Sequence, residues 1–177
     1  MEDKALLSTE EASGAEKAEL LIVIPAYNEA ENIERVVNHL TANFPQYDYV
    51  VVNDGSRDET AAICQRNGYN LLNLPVNLGL AGAFQAGLKY ADKYGYQYAV
   101  QLDGDGQHRP EYLESMIKKM EEGYDIVIGS RFVGEKKPFT MRMLGSNLIE
   151  MAIRFTTGVN IKDPTSGMRM FSKRMIR

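Results

Sequence analysis

The sequence predicts an α/β fold: a mostly parallel, Rossmann-like sheet with helices packed on both of its faces. Two observations lead to this prediction. Short continuous apolar runs, typical of parallel strands buried on both faces, alternate along the chain with segments of helical apolar spacing. The chain also has 177 residues, of which 44% are hydrophobic and 25% charged, as expected for one globular domain with its own core.

The first half of the chain predicts three strands and two helices. The apolar run at 20–26 predicts a buried strand, and the apolar residues of 28–44 follow the spacing of an amphipathic helix. Residues 47–54 form another apolar run and predict the second strand. We expect a second helix over 56–68, ending at a glycine, and a third, weaker strand over 70–75.

The alternation continues in the second half. Residues 80–95 predict a third helix, and the apolar and aromatic run 96–103 predicts the fourth strand. Because proline is favoured in the first turn of a helix, we expect a helix over 110–123, and 124–130 predicts the fifth strand. A basic loop follows, and the amphipathic pattern of 141–158 predicts a further helix.

Two helices carry capping signals at their predicted starts. Asn28 is followed three residues later by Glu31, and Ser56 is followed three residues later by Glu59. In a capping box the first side chain accepts a hydrogen bond from a backbone N–H of the first turn, and the acidic side chain bonds back. We therefore expect these helices to begin next to Asn28 and Ser56.

The two ends of the chain differ in charge. Residues 1–19 carry a net charge of −4 and are expected to form a flexible acidic leader, whereas 20–130 carry −7 and 131–177 carry +7. The basic end suggests an anionic partner, with an ordinary solvated face as the alternative. The leader lacks the basic and apolar segments of a signal peptide, and no apolar run reaches the roughly 18–20 residues that span a bilayer. These features predict a soluble, cytoplasmic protein.

Two further observations narrow the function classes. The chain has one cysteine, Cys64, which excludes an internal disulfide and favours a reducing compartment. Cys64 lies in an apolar run, so we expect a buried core residue rather than a reactive thiol. The sequence has no basic stripe interleaved with aromatic residues, and nucleic-acid binding is not predicted.

Candidate site residues lie at or just after the ends of four of the predicted strands. In open parallel sheets ligands bind beyond the carboxyl ends of the strands, which makes these positions candidates for a site. Each residue alone has an ordinary explanation as a turn, packing or surface residue, but their matched positions predict one shared site. They are Pro25, Tyr27 and Glu29 after the first strand, Asp54 after the second, Asp103 and Asp105 after the fourth, and Arg131 after the fifth.

The residue types at this sheet edge suit a nucleotide and a metal ion. The carboxylates of Glu29 and Asp54 can accept hydrogen bonds from a base or a ribose, and Tyr27 can stack on a base. Asp103 and Asp105 offer the hard oxygen ligands that Mg²⁺ and Mn²⁺ prefer. A divalent ion held there would neutralise a diphosphate leaving group.

Two other interpretations fit this pattern less well. The sequence from Asp103 onward partly matches an EF-hand calcium loop, but His108 stands where that loop needs glycine, and a strand precedes it. The segment 79–87 is glycine-rich like a dinucleotide-binding loop, but it lacks the G-x-G-x-x-G spacing and follows the third strand. We expect its three glycines to allow close helix packing; they are Gly79, Gly82 and Gly87.

Five sequence blocks, in this order, resemble the GT-A fold glycosyltransferases of family 2. They are IVIPAYNEAENI, VVNDGSRDET, NLGLAGAFQAGLKYA, QLDGDGQHRPEYL and IVIGSRF, and the aspartate pair matches the family's D-x-D motif. The resemblance covers about residues 20–171 and implies three sets of roles. Nucleotide contacts are implied for Pro25, Tyr27, Glu29, Asp54 and Asp103, metal binding for Asp103, Asp105 and Gln107, and catalysis for Asp105 and Arg131, which would contact the phosphates.

The blocks DGDGQH and DPTSGMRMF resemble a narrower branch, the polyprenyl-phosphate enzymes related to dolichol-phosphate mannose synthase. In that branch an arginine and a serine four residues later hold the acceptor phosphate, a spacing that Arg142 and Ser146 match. The resemblance implies inverting transfer of a sugar from a UDP- or GDP-sugar to a lipid phosphate. It also implies peripheral attachment at the cytoplasmic membrane face, where the basic residues after 130 would meet an anionic bilayer or a membrane partner protein.

The acceptor decides whether a base is needed. A phosphate is already ionised near neutral pH, and the chain lacks the Glu-Asp pair that many hydroxyl-using members place near Asp163. Two alternatives stay open: a GT-A enzyme acting on a sugar or polysaccharide hydroxyl in cell-envelope glycan synthesis, and a non-enzymatic protein that binds a nucleotide sugar or a metal. We expect 20–177 to be a catalytic domain truncated at its C-terminus, because SKRMIR resembles the start of a helix.

Overall fold

A computed structural model describes residues 19–104, 109–129, 155 and 168–177. In this described part of the chain, six strands form one sheet in the order β3-β2-β1-β4-β6-β5. The strands are β1 (Leu20–Ala26), β2 (Asp48–Asn53), β3 (Leu71–Asn73), β4 (Tyr98–Gln101), β5 (Ile126–Ile128) and β6 (Arg169–Ser172).

The sheet is mostly parallel, as predicted. Strand β1 pairs in parallel with both β2 and β4, and β2 pairs in parallel with β3. The sequence did not predict β6, which runs antiparallel to β4 on one side and to β5 on the other. Because β6 reverses direction between them, β5 runs the same way as β4. The carboxyl ends of β1 to β5 therefore face one edge of the sheet.

Helices cover both faces of the sheet, which confirms the predicted layering. In the described residues they are α1 (Ile33–Asn43), α2 (Thr60–Arg66), α3 (Gly79–Tyr94), α4 (Leu113–Glu121) and α5 (Lys173–Ile176), and a 3₁₀ turn at Pro110–Tyr112 leads into α4. Proline thus starts this segment, and SKRMIR begins a helix, as the sequence suggested. The helix predicted over 141–158 lies outside the described residues apart from Phe155.

The strands bury side chains on both faces, and β1 shows why its sequence is continuously apolar. Leu20, Ile22 and Ile24 pack on the face covered by α1, α2 and α4. Leu21 and Val23 pack on the opposite face, beneath α3. Since neighbouring residues of a strand point to opposite faces, a strand covered on both sides needs apolar residues at every position.

Cys64 is fully buried in the cluster beneath α1, α2 and α4. Its burial raises the pKa of the thiol, because an ionised thiolate would lose its solvation there. Both observations confirm the predicted role of Cys64 as a core residue rather than a reactive group.

Both predicted capping boxes are wrong. Helix α1 begins only at Ile33, and Asn28 has a left-handed backbone with φ of 57°. Helix α2 begins at Thr60, and the side chain of its N-cap residue Glu59 makes no capping hydrogen bond. The reason is tertiary: the loops that contain Asn28 and Ser56 hydrogen-bond to each other instead of capping their own helices.

The glycines of α3 have different roles from one another. A Cβ atom at Gly87 would lie 2.2 Å from Cγ1 of Val23, so this glycine allows the close packing of helix and sheet that the sequence predicted. The same prediction is wrong for Gly79. A Cβ there would meet nothing within 4 Å, but its φ of 75° is a left-handed conformation that starts the helix. A Cβ at Gly82 would lie 2.5 Å from Cβ of Leu78, the residue just before the helix, so this glycine makes room for its own helix start.

Candidate functional site

A cleft of about 490 Å³ lies where β1, β2 and β4 end and α3 begins. Side chains that follow three different strands meet there, as the strand-end rule for parallel sheets predicts. The cleft is lined by the five described residues that the sequence assigned to a nucleotide: Pro25, Tyr27, Glu29, Asp54 and Asp103. Their convergence is confirmed, while their roles stay predictions.

The other predicted site residues cannot be located in the same way, because they lie outside the described residues. They are Asp105 and Gln107 of the D-x-D segment, Arg131, and the proposed acceptor pair Arg142 and Ser146. The described part of the site is therefore the part next to β1, β2, β4 and α3.

The start of α3 contributes a wall of the cleft that the sequence did not predict. Asn77, Gly79, Leu80 and Ala83 line it. The segment that contains them follows the end of β3, so the rule that leads to the other strand ends also points here. The glycines of this segment suggested helix packing, and the strand-end rule was not applied to this segment.

Asp54 ties this wall to the sheet. The residue is 2% exposed, and its backbone N–H donates to the carbonyl of Ala26 across 2.9 Å. Its Oδ1 accepts a hydrogen bond of 2.7 Å from the backbone N–H of Leu78, one residue before α3. The carboxylate that lines the cleft therefore also fixes the position of the helix start.

Gly55 lets the two loops approach each other. Its φ is 64°, and a Cβ atom added there would lie 2.8 Å from the backbone nitrogen of Asn77 and 2.8 Å from the carbonyl carbon of Val76. Real Cβ atoms do not approach backbone atoms so closely, and only glycine adopts this conformation without strain. The D-G pair therefore serves close packing beside the cleft as well as a turn.

Asp103 is held from within its own strand end. The side-chain amide of Gln101 donates to Oδ1 of Asp103 across 2.9 Å, and Gln101 is buried. The following residue, Gly104, lies against the end of β1 and the loop after it: a Cβ there would be 3.2 Å from the carbonyl oxygen of Pro25 and 3.4 Å from Cγ of Glu29. The end of β4 and the loop after β1 thus form one continuous wall.

Tyr27 and Glu29 stand on that loop with different surroundings. The Tyr27 side chain is 43% exposed although it is large and aromatic, which suits a ring that stacks on a planar ligand. The carboxylate of Glu29 accepts a hydrogen bond of 2.9 Å from the side-chain amide of Asn32, the residue just before α1. This hydrogen bond orients the Glu29 carboxylate.

The loop after β1 is joined to the loop after β2 by hydrogen bonds from three consecutive backbone N–H groups. Each N–H donates to a side-chain oxygen of the 56–60 segment: Asn28 to Ser56 Oγ at 3.0 Å, Glu29 to Thr60 Oγ1 at 2.9 Å, and Ala30 to Asp58 Oδ2 at 3.1 Å. In return, the backbone N–H of Arg57 donates to Asn28 Oδ1 across 2.9 Å.

Asp58 is the most connected member of this contact. Its Oδ1 also accepts hydrogen bonds from the hydroxyl and the backbone N–H of Thr60, at 2.5 and 3.0 Å. Partial desolvation opposes ionisation of the carboxyl, but the hydrogen bonds from Thr60 and Ala30 outweigh it and hold the pKa of Asp58 below its ordinary value. The ionised form is thus the one that the loop contact favours.

The lining residues suit a hard divalent cation by their chemistry. The described lining offers carboxylate oxygens from Glu29, Asp54 and Asp103 and contains no histidine or cysteine. In the part of the chain that the structure describes, no three acidic, histidine or cysteine side chains lie close enough together to hold an ion by themselves. The D-x-D partner Asp105 is not among those residues.

No helix within the described residues is both long enough and apolar enough to cross a membrane.

The chain is similar in sequence to enzymes named for lipid phosphates. It is 33% identical over 165 residues to the polyprenol monophosphomannose synthase of Mycolicibacterium smegmatis, covering 88% of this chain and 62% of that protein. It is 31% identical to the undecaprenyl-phosphate mannosyltransferase of Micrococcus luteus, covering 89% of this chain and 68% of that protein. The chain spans less than two thirds of the first of these relatives.

Solved structures share the fold. The glucosyl-3-phosphoglycerate synthase of Mycobacterium tuberculosis in complex with UDP superposes with a TM-score of 0.67 at 20% identity, covering 88% of this chain and 57% of that one. This likeness supports the GT-A architecture predicted from the sequence. The model of the glycosyl transferase family 2 matches residues 21–177. The chain belongs to glycosyl transferase family 2.

Proposed function

We propose that the protein transfers a sugar from a nucleoside diphosphate sugar to a polyprenyl phosphate. The observation that carries the proposal is the cleft itself, where Tyr27, Glu29, Asp54 and Asp103 meet at one sheet edge. Membership of family 2 and similarity to two enzymes named for polyprenyl phosphates support the donor and acceptor classes.

The donor's nucleoside would lie against the β1 and β2 ends of the cleft. The half-exposed ring of Tyr27 offers a stacking surface, and Asp54 and Glu29 offer acceptors for base or ribose groups. Pro25 lines the same wall. Because Asp54 is anchored by the N–H of Leu78, its carboxylate is oriented before any ligand arrives, which lowers the entropic cost of binding.

A magnesium or manganese ion would be held by Asp103 together with Asp105 and Gln107. When bound, it would supply neutralisation of the diphosphate that leaves. Gln101 orients Asp103 for this role through its 2.9 Å hydrogen bond. The comparison with the M. tuberculosis synthase, whose structure in complex with Mn²⁺ and UDP has a TM-score of 0.66, supports this choice of ion.

The acceptor phosphate would be bound by Arg142 and Ser146, and Arg131 would contact the donor phosphates. The positive net charge of 131–177 supports contact with an anionic membrane surface or with a membrane partner. A phosphate oxygen would attack the anomeric carbon without prior loss of a proton, so the chain needs no general base. The bond from that carbon to the diphosphate breaks in the same direct displacement, and the nucleoside diphosphate leaves. A single displacement of this kind transfers the sugar with inversion.

The test is a donor panel with the full chain. UDP-glucose, UDP-N-acetylglucosamine and GDP-mannose are each offered with Mg²⁺ or Mn²⁺ and a short polyprenyl phosphate, and the product is extracted into organic solvent. We expect one donor to give a lipid-linked sugar. A product that stays in water and forms only with a sugar hydroxyl acceptor would contradict the phosphate acceptor, and release of no product from any donor would contradict the transferase itself.

A pair of matched variants ties the activity to the cleft. Asp103→Asn removes a charge from the lining and should lower turnover by roughly a hundredfold or more. Asp92→Asn removes a charge at the far end of α3, where Asp92 pairs with Arg177 at 3.5 Å, and should leave turnover unchanged. Equal activity of the two variants would rule out the cleft as the donor site.

A further inference from the structure

We propose that Asp58 and Thr60 are positioning residues for the donor nucleotide, because they hold the loop that carries Tyr27 and Glu29 in its binding conformation. The inference rests on the proposed function and deepens it. Neither residue lines the cleft, so neither is expected to touch the donor.

The first step is the geometry of the loop. Asn28 has a left-handed backbone, and the N–H groups of Asn28, Glu29 and Ala30 all donate toward the 56–60 segment. Successive N–H groups that converge in this way form a concavity that binds anions or other acceptors. Here the acceptors are oxygens of the protein, so the shape of the loop depends on those side chains.

The second step is the role of Thr60. Its side chain is fully buried, and its hydroxyl does two things at once: it accepts from the Glu29 N–H at 2.9 Å and donates to Asp58 Oδ1 at 2.5 Å. The other carboxylate oxygen of Asp58 accepts from Ala30. Thr60 and Asp58 therefore form a hydrogen-bonded pair, called the relay below, that joins the N–H groups of Glu29 and Ala30 to the start of α2.

The third step connects the relay to the cleft. The N–H of Glu29 donates to Thr60, and Glu29 also lines the cleft. Tyr27, two residues earlier, lines it as well. If the relay is lost, the loop samples other conformations, and ordering it again on binding lowers the affinity for the donor. The sequence pattern of oxygen-bearing residues at alternate positions, Ser56, Asp58 and Thr60, thus serves the neighbouring loop.

The test compares two substitutions of Thr60. Thr60→Val keeps the shape and removes the hydroxyl, whereas Thr60→Ser keeps the hydroxyl. By titration calorimetry with UDP and with GDP, we expect Thr60→Val to weaken binding of the preferred nucleotide about tenfold and Thr60→Ser to stay within about twofold of the unchanged protein. Glu59→Gln is the control, because Glu59 is exposed and its ion pair with Arg66 spans 3.6 Å at the surface.

Hydrogen exchange separates positioning from a general loss of structure. In Thr60→Val the amides of 28–30 should exchange faster, while the amides of β1 and β2 keep their protection. If Thr60→Val does not fold, Asp58→Asn takes its place, because Asp58 is exposed and its substitution leaves the core intact. Unchanged nucleotide affinity in either variant would overturn the proposal, and so would unchanged exchange of 28–30.

The outcome also distinguishes this inference from the proposed function. If the unchanged protein binds neither UDP nor GDP, the proposed function fails, and the exchange of 28–30 alone then decides the role of the relay in holding the loop. If the unchanged protein binds a nucleotide and Thr60→Val binds it equally well, the proposed function stands and the positioning role is rejected.

Discussion

The buried side-chain amide of Gln101 holds the carboxylate of Asp103 through a hydrogen bond of 2.9 Å. Gln101 is the last residue of β4, and Asp103 follows it two positions later, just beyond the strand. The first aspartate of the D-x-D motif is thus held in place by a hydrogen bond from the last residue of β4.

Gln101→Leu should therefore weaken ligand binding. Loss of the hydrogen bond lets the Asp103 carboxylate rotate, and we expect about 1 kcal/mol less binding free energy for the nucleotide with Mn²⁺, which is about a fivefold weaker affinity. Titration calorimetry measures this effect. Gln97→Leu, on the exposed turn before β4, is the control and should bind as the unchanged protein does. Equal affinities for the two variants would contradict the orienting role of Gln101.

Substitutions of Asp54 should separate stability from nucleotide binding. Asp54→Ala removes the buried carboxylate that accepts the hydrogen bond from the N–H of Leu78, which should lower the free energy of unfolding by about 1–3 kcal/mol. Asp54→Asn retains a side-chain oxygen for Leu78, so its stability should stay within about 1 kcal/mol of the unchanged protein while its nucleotide affinity falls. Urea denaturation and calorimetry measure the two effects, and equal destabilisation by both substitutions would show that the contact to Leu78 matters little.

Gly55 and Gly68 provide a matched pair of sites at which the loss of stability caused by adding a side chain can be compared. Their φ angles are 64° and 65°, but a Cβ at Gly55 would lie 2.8 Å from backbone atoms, and one at Gly68 would meet nothing within 4 Å. Gly68→Ala should cost only the conformational strain, about 1–2 kcal/mol. Gly55→Ala should cost clearly more and also displace the wall at Asn77, with loss of nucleotide binding. Similar unfolding free energies for the two variants would contradict the close approach.

Acid should weaken the loop contact through Asp58. Its pKa is lower in the folded protein than the ordinary value of 3.8, so the ionised form stabilises the fold. This stabilisation is complete above the ordinary pKa and is lost as the pH falls through the lowered value. The difference in unfolding free energy between the unchanged protein and Asp58→Asn should therefore be constant from about pH 7 to pH 5 and shrink below about pH 4. A difference that stays constant down to about pH 3 would contradict the shift.

Periodicity in the amino-acid sequence determines most of the architecture. Continuous apolar runs mark β1, β2 and β4, because a strand covered on both faces shows its burial at every residue. The strand-end rule then brings together Tyr27, Asp54 and Asp103, since parallel strands direct their carboxyl ends to one edge. These features depend only on local sequence or on the direction of the strands, so they can be predicted from a single sequence.

The tertiary structure decided which partner each polar group takes. Asn28 and Ser56 fit capping boxes in the sequence. In the structure, however, the N–H of Asn28 donates to Ser56 Oγ, and Asn28 Oδ1 accepts from the N–H of Arg57, so both side chains bond across the two loops. A hydrogen bond that caps a residue's own helix and one that reaches a neighbouring loop have similar strength. The local sequence pattern therefore does not show which of the two a side chain makes. The insertion of β6 between β4 and β5 has the same origin, because strand pairing depends on which distant segment lies alongside.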